Sequence, residues 1–459
     1  MRTIFLTAYH SFIGRNILGT KISEILKTTP DLRVVVLTFP YKKEFFESNY
    51  AAPNFVIEGL DIDYVIRSKK AKFWYRLAFL LQNTNYVQNQ RKERLNRHRN
   101  IFGYLNYWIV NLTALTLSKL RIARKIYRFL DKNSAPKNIL DEMINKYNPD
   151  LFFSTDIFGE WDVALLRCAA ARGIKSVGMI RSWDNTTTKG VLRCFPDHFI
   201  ALSPHLVDEL KNFHDWNNSA KTMISGLPQF DGWETGPTEA RNSFCRKLKI
   251  DSSKKIVIFA PAGSVLSDTD WEICQILKDA IKNKELPSDL VFVVRNHPHH
   301  PADLSKFEPD EHFVIESPGR MLRENDPRGA EMSKEDNNHL RNTVYYSEII
   351  MYIATSLGLD ASVYDKPQIL ISFDGFKKKP YVVSVERYNH EDVLINLVSL
   401  GGTIVVWSPK ELVAAVKEYL DNPSLKREGR QKTIDRHIYK IDGQAASRIA
   451  NYVVSLLDH

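Results

Sequence analysis

Short runs of β-branched and apolar residues alternate along this chain with stretches whose apolar positions recur every three or four residues. Residues 3–8 read as a strand, 9–15 as a loop, and 16–27 as a helix with Ile17, Ile22, Ile25 and Leu26 on one side. Residues 32–39 (LRVVVLTF) and 55–58 give two more strands. After an interruption the alternation resumes: strands at 150–154, 175–180 and 198–202, with helices at 163–172 and 204–213. The stretch SGLPQFDGWETGP, 225–237, is rich in Gly, Pro and acids and reads as a linker. Beyond it come strands at 255–260, 290–295, 313–316, 349–353, 368–372 and 403–407. Helices are expected at 238–248, from about 268, at 357–364 and at 409–420, and 436–457 is helical in pattern. Residues 320–336 read as polar and irregular. Strand–helix alternation on both sides of a linker predicts an α/β protein of two doubly wound lobes.

The interruption spans 67–132. Helices are expected at 69–82 and 115–130, and 101–118 carries no charge. That uncharged run holds Gly103, Asn106, Asn111, Thr113 and Thr116, which dilute it below the ~20 apolar residues of a membrane span. The segment has sixteen Lys or Arg and two acids, Glu93 and Asp131. The whole chain has a net charge of +9, so this segment alone makes it basic. With Phe73, Trp74, Tyr75 and Phe79 among the basic residues and an amphipathic pattern over 117–130, the expected partner is an anionic membrane surface; a solvated helical surface is the plainer reading. No nucleic-acid-binding module is recognisable, so no nucleic acid is expected as partner.

Composition excludes the less ordinary classes. With 459 residues, 44% hydrophobic and 25% charged, the chain has the makeup of a folded protein of two or three domains. Four scattered cysteines form no CxxC pair, which argues for reduced thiols. The opening apolar run is too short for a signal peptide. A cytoplasmic location, peripheral on the inner face of the membrane, is the expectation.

Candidate chemistry concentrates where strands end. YYSEIIMYIATSLGLDASVYDKPQILIS runs a buried strand into Thr355 and Ser356, with a helix immediately after. A helix N-terminus offers unpaired N–H groups and a positive dipole end, both suited to phosphate. Gly358 would permit close approach and Asp360 would accept from ribose hydroxyls. Arg295 and His297 follow another strand, and Gly263 and Ser264 in PAGS a third, offering backbone and hydroxyl donors. A capped helix with a first-turn acid and a solvated histidine turn are the plainer readings of the same residues. Asp268-Thr269-Asp270 has the form of a metal-binding DxD motif, but it precedes an apolar period and reads as a helix start. His297, His299 and His300 are too close in sequence to make a metal site, so none is expected.

Several stretches resemble a known group of enzymes. GLPQFD at the linker, the strand followed by His297-Pro298, SEIIMYIATSLGLDASVYDKPQI and the tail YKIDGQAASRIANYV resemble GT-B-fold glycosyltransferases and CDP-glycerol glycerophosphotransferase-like enzymes. HSFIGRNIL and RSWDNTTTKG resemble bacterial relatives of these enzymes. The resemblance implies a GT-B architecture, two Rossmann-like lobes facing a cleft. The acceptor lobe would be 1–228 with the basic helical insertion at about 67–132, the nucleotide-donor lobe 229–435, and 436–459 a helix crossing back. It implies a metal-independent glycosyltransferase that moves a sugar from a nucleotide-sugar to a glycan or lipid-linked acceptor of a bacterial surface polysaccharide. No cofactor is called for beyond that donor. CDP-glycerol-type polyol-phosphate transfer, sugar-nucleotide 2-epimerisation and a non-catalytic binding scaffold are the alternatives. On the acceptor side the base candidates are His10 and Asp184, accompanied by Asp156, Glu160 and Arg181. Many relatives carry Glu where this chain has Asp360, which alters the reach to the ribose.

Overall fold

The computed structural model describes residues 1–133, 136–323 and 330–458. The chain divides into two compact units, Met1–Asp231 with His437–His459, and Gly232–Arg436.

The first unit is built on seven parallel strands: β1 (Arg2–Thr7), β2 (Leu32–Thr38), β3 (Phe55–Gly59), β4 (Leu151–Ser154), β5 (Lys175–Met179), β6 (His198–Ala201) and β7 (Thr222–Ile224). Their order is β3-β2-β1-β4-β5-β6-β7. Apolar residues such as Ile4, Phe5, Val34, Val36, Phe152 and Phe199 are wholly buried, as expected when helices cover both faces of a sheet. The second unit repeats the plan with β8 (Lys255–Ala260), β9 (Leu290–Arg295) and β10 (Phe313–Glu316), a two-stranded antiparallel ribbon of β11 (Arg320–Met321) and β12 (Ala330–Glu331), then β13 (Ser347–Tyr352), β14 (Gln368–Ile371) and β15 (Ile404–Val406). Its main sheet runs β10-β9-β8-β13-β14-β15, again parallel throughout. Both units therefore show the doubly wound α/β pattern. In each, the first strand lies beside the fourth strand of the main sheet, and the winding reverses there. Ligands of such sheets bind at the carboxyl ends of the strands flanking that reversal.

The segment read as irregular, 320–336, is partly ordered: besides the ribbon it starts a helix, Lys334–Tyr346. Ser333 and Asp336 form a reciprocal capping box there. Residues 324–329 of that segment lie outside the described residues. Within the first unit, the helix Ala445–Ser455 is clamped at its start by Asp231, which accepts from the amides of Ala445 (3.0 Å) and Ala446 (2.7 Å). A carboxylate at this position satisfies orphan donors and meets the positive end of the helix dipole. This explains the acid of GLPQFD as a structural clamp.

The basic segment forms four principal helices, Lys69–Leu80, Asn85–Arg97, Ile101–Leu117 and Arg121–Asp131. The single helix expected over 115–130 is two, because the chain breaks at Ser118–Leu120, where Leu120 is extended. Trp74, Tyr75 and Phe79 are half-buried, and the Tyr127 hydroxyl donates to the Trp74 carbonyl at 2.9 Å. The last helix is anchored by ions. Asp131 is wholly buried, accepts from Arg193 at 2.9 and 3.0 Å, and pairs with Arg167. Asp215 accepts from Arg124 at 2.8 Å and Arg128 at 3.1 Å.

Asp131→Asn leaves Arg167 and Arg193 buried without their counter-charge. We expect it to cost about 3–5 kcal/mol of first-unit stability, read as an earlier denaturant midpoint.

Candidate functional site

In the second unit the reversal lies between β8 and β13. The loop after β8 holds Gly263 at φ +85°, and a Cβ there would sit 2.1 Å from the His300 carbonyl oxygen. Glycine is needed on both counts. The PAGS loop is thus pressed onto the histidine loop that follows β9. Its backbone donors are not free for a ligand, contrary to expectation: the amides of Ala262 and Gly263 donate to Asp270 at 3.0 and 2.8 Å, and the Ser264 amide to the Pro301 carbonyl at 3.1 Å. Only the exposed Ser264 side chain is left to offer. Asp270 is the first residue of its helix and holds this loop; burial pushes its pKa up to about 6.

After β13 the chain passes through Ala354 at φ +45°, an uncommon conformation for a residue with a Cβ. Ser356 is exposed at the N-cap of the helix Leu357–Val363. Two amides of that first turn are already engaged, Leu357 by the Thr355 hydroxyl (3.2 Å) and Leu359 by the Ser356 carbonyl (2.9 Å). Gly358 is glycine for packing: a Cβ would lie 2.8 Å from the buried Tyr352 hydroxyl and 3.1 Å from Leu397. Asp360 is buried with it, whereas Ser356 lies on the open surface.

Arg295 ends β9 and is buried. Its Nη1 donates to Glu316 at 3.0 Å, and Glu316 also meets His339. Burial alone would raise the Glu316 pKa, but His339 and Arg295 outweigh it and hold it below the usual range. Arg295 therefore does not stand as a free cation at the strand end, although its Nη2 has no hydrogen-bond partner among the described residues. His297 is exposed, and its ring stacks on His300 with centroids 5.6 Å apart. Desolvation first, and His300 second, push it down to about 4, so it is neutral at pH 7. Among the described residues no three His, Cys, Asp or Glu side chains group as metal ligands.

In the first unit the reversal lies between β1 and β4, and the two strand ends are stitched together. Thr155 donates to the Thr7 carbonyl (2.7 Å) through its hydroxyl and to the Thr7 hydroxyl (2.9 Å) through its amide. Beyond them lie His10 and Asp156. Asp156 is buried and accepts from Arg181 at 3.0 Å and Asn185 at 3.3 Å. Burial would raise its pKa, yet the Arg181 guanidinium and His10 hold it below the ordinary carboxylate range. His10 is half-buried; desolvation, then the charge of Arg181, push it down to about 3 against the opposing Asp156. Its Nδ1 meets the Ser11 carbonyl. A carbonyl only accepts, so Nδ1 carries the hydrogen and Nε2 keeps a lone pair. Phe12, two residues on, has φ +77°, a second backbone outlier beside a reversal.

The structure thus brings His10, Asp156 and Arg181 together, and engages Asp184 elsewhere. Asp184 spends its carboxylate on its own turn, accepting from Ser182 and, at 3.1 Å, Thr188. Glu160 opens the helix Glu160–Ala171, half-buried, with its pKa raised by burial. Sequence reasoning missed Asp162. It is buried behind the pair, accepting from Thr7, from Ser154 at 2.9 Å and from the Asp156 amide at 3.3 Å. In the sequence it is one of two acids in a helix's first turn, and nothing there marks it as the inward one.

A family model described as CDP-Glycerol:Poly(glycerophosphate) glycerophosphotransferase matches residues 193–455, more than half of the chain. The chain belongs to this family. The match covers the strand-end loops of the second unit and leaves His10, Asp156, Arg181 and Asp184 outside it. No curated protein matches the chain. Among solved structures it resembles the S. aureus MnaA–UDP co-structure (TM-score 0.57, 12% identity, covering 100% of this chain and 97% of the other). UDP-GlcNAc 2-epimerase from Neisseria meningitidis bound to UDP-GlcNAc is similar (TM-score 0.55, 12% identity, 99% and 100% covered). So is the wall teichoic acid polymerase TagF (TM-score 0.52, 12% identity, 100% and 89% covered). Identities this low carry the fold alone, and the fold is GT-B. Family and fold together make this glycerophosphotransferase relative a transferase of GT-B type.

Burial, and the charge of Asp156, push the Asp162 pKa up to about 7. The folded state then holds a proton that the unfolded chain releases near pH 4. This contribution is complete below pH 4 and is lost as pH rises through 7. Asp162→Asn should remove that part of the decline, read as a flatter melting-temperature profile between about pH 4 and 7.

Proposed function

We propose that this chain transfers a polyol phosphate from a CDP-linked donor to a hydroxyl of a growing cell-surface polymer. The observation that carries the reading is the glycerophosphotransferase match across the second unit. Nucleotide-sugar glycosyl transfer, the first reading of the sequence, becomes the second. It has support of its own in the GT-B fold and in solved neighbours that carry UDP or UDP-GlcNAc.

In this reading the second unit holds the donor. Ser264, His297, Thr355 and Ser356 lie on the loops flanking the β8/β13 reversal and would hold the diphosphate, and the spare Nη2 of Arg295 adds a charged donor. Asp360 would meet the ribose once the start of its helix opens. The first unit supplies the acceptor side. His10, with an unprotonated Nε2, takes the proton of the acceptor hydroxyl. That oxygen attacks the phosphorus bearing the polyol. The bond to the bridging oxygen breaks, and CMP leaves with the electron pair. Asp156 and Arg181 fix the local field around His10. Asp184 serves this site by shaping the turn that carries Asn185, and Glu160 stands at its margin.

Two measurements test this. Incubation with CDP-glycerol and an acceptor should release CMP; release of UDP or GDP from a nucleotide-sugar instead would move the assignment to glycosyl transfer. His10→Ala should lower kcat by about 10²–10⁴ and leave the nucleotide-induced thermal shift intact, while His297→Ala and Ser356→Ala should reduce that shift. If none of CDP, CMP, UDP and GDP shifts the melting point at millimolar concentration, the donor site is wrongly placed.

A further inference from the structure

We propose that the outward faces of the successive helices Ile101–Leu117 and Arg121–Asp131 are a lipid-docking surface. It lies in the headgroup–acyl boundary of an anionic bilayer and is held there chiefly by apolar insertion. This stands apart from the donor and acceptor reading and does not depend on it.

The second helix is turned inside out. Ile122, Ile126 and Phe129 recur at helical spacing, the pattern that in a globular protein faces the core. Here they are exposed, and the opposite face, with Arg124, Tyr127 and Asp131, is the buried one. The ion pairs to Asp215, Arg167 and Arg193 fix that orientation. The first helix exposes an apolar stripe of its own. Leu105, Trp108, Ile109 and Leu112 form a stripe along one side, and Trp108 and Leu112 are 65% and 67% exposed. Exposed apolar faces of this extent, one on each helix, mark an interaction site.

Charge selects the occupant. Thirteen of the sixteen Lys and Arg between 67 and 132 are exposed, among them Lys119, Lys125 and Lys132 on this helix pair. Both acids of the segment, Glu93 and Asp131, are buried. The exposed charges of this segment are therefore all of one sign. A second copy docked about a two-fold axis would set like charges against each other. A nucleic acid would use the charge and leave the Ile, Leu and Trp stripe in water. An anionic lipid surface accepts both, with the acyl edge for the stripes and the headgroups for the charges. Trp108 and Tyr104 are residue types that settle at such boundaries. Among the described residues no helix is long and apolar enough to cross a membrane, so the pair lies on the bilayer. The sequence assigned the contact to basic charge, to the aromatics at 73–79 and to the amphipathic pattern at 117–130. Of those aromatics only Phe73 is exposed, whereas the apolar side of Arg121–Asp131 faces outward, so the contact centres on the outward stripes with charge as the secondary force.

The test is flotation of the full chain with vesicles of phosphatidylcholine alone or mixed with phosphatidylglycerol. The parent is compared with two variants, Trp108→Ser/Ile109→Ser/Leu112→Ser and Lys119→Gln/Lys125→Gln/Lys132→Gln, each first shown by circular dichroism to melt like the parent. The parent should float with the anionic vesicles and remain bound at about 0.5 M salt, where surface charge is screened. The serine variant should lose at least about tenfold in partitioning, and the glutamine variant only its preference for anionic lipid. The proposal is overturned by absence of flotation at low salt, by full release at high salt, or by equal partitioning of the serine variant. It is also overturned if the parent forms a dimer that the serine substitutions dissolve while vesicles fail to bind.

Discussion

A parallel sheet wound in both directions has one place where successive crossovers depart to opposite faces, leaving the carboxyl ends of two adjacent strands uncovered. That constraint governs both units. At β1/β4 it leaves room for His10, Asp156 and Arg181; at β8/β13 it leaves room for Ser264, His297 and Ser356. Each reversal also carries a residue with a Cβ in the left-handed region, Phe12 in the first unit and Ala354 in the second. Such strain persists only where the surrounding packing enforces it, and it recurs where function requires an awkward backbone.

Around these openings, buried carboxylates work on the backbone rather than on a substrate. Asp270 ties down the PAGS loop and Asp162 holds the end of β4. In the linker the half-buried Asp231 does the same for the helix Ala445–Ser455. Asp270 thereby removes the PAGS amides that the sequence offers to an anion. What is left at the openings is side chains: hydroxyls, a neutral imidazole, and one nitrogen of a buried guanidinium.

Much of the fold was legible because the strands are wholly buried and therefore near-continuous runs of Val, Ile, Leu and Phe, such as residues 32–39 and 290–295. The two doubly wound units follow from that alternation. The helical segment was legible as helix but not as orientation. Periodicity across residues 115–130 reveals that one side is apolar, not which side meets the protein, and the apolar period runs through the break at Ser118–Leu120. The site was legible in position and less so in detail. Strand ends located the loops, but whether Gly358 serves a ligand or Tyr352, and whether Gly263 offers its amide or has given it to Asp270, are questions of tertiary packing that spacing does not encode.

The clamp of Asp231 on the amides of Ala445 and Ala446 has a consequence for the order in which the protein comes into being. The second unit is spliced into the first, since residues 437–459 belong with Met1–Asp231. During synthesis the first unit emerges early yet lacks its closing helix until the whole of Gly232–Arg436 has followed. The second unit has all its strands in one stretch and completes itself first. The half of the molecule that carries His10 is thus the last to become whole, and the outward helices at 101–131 emerge long before that half is finished.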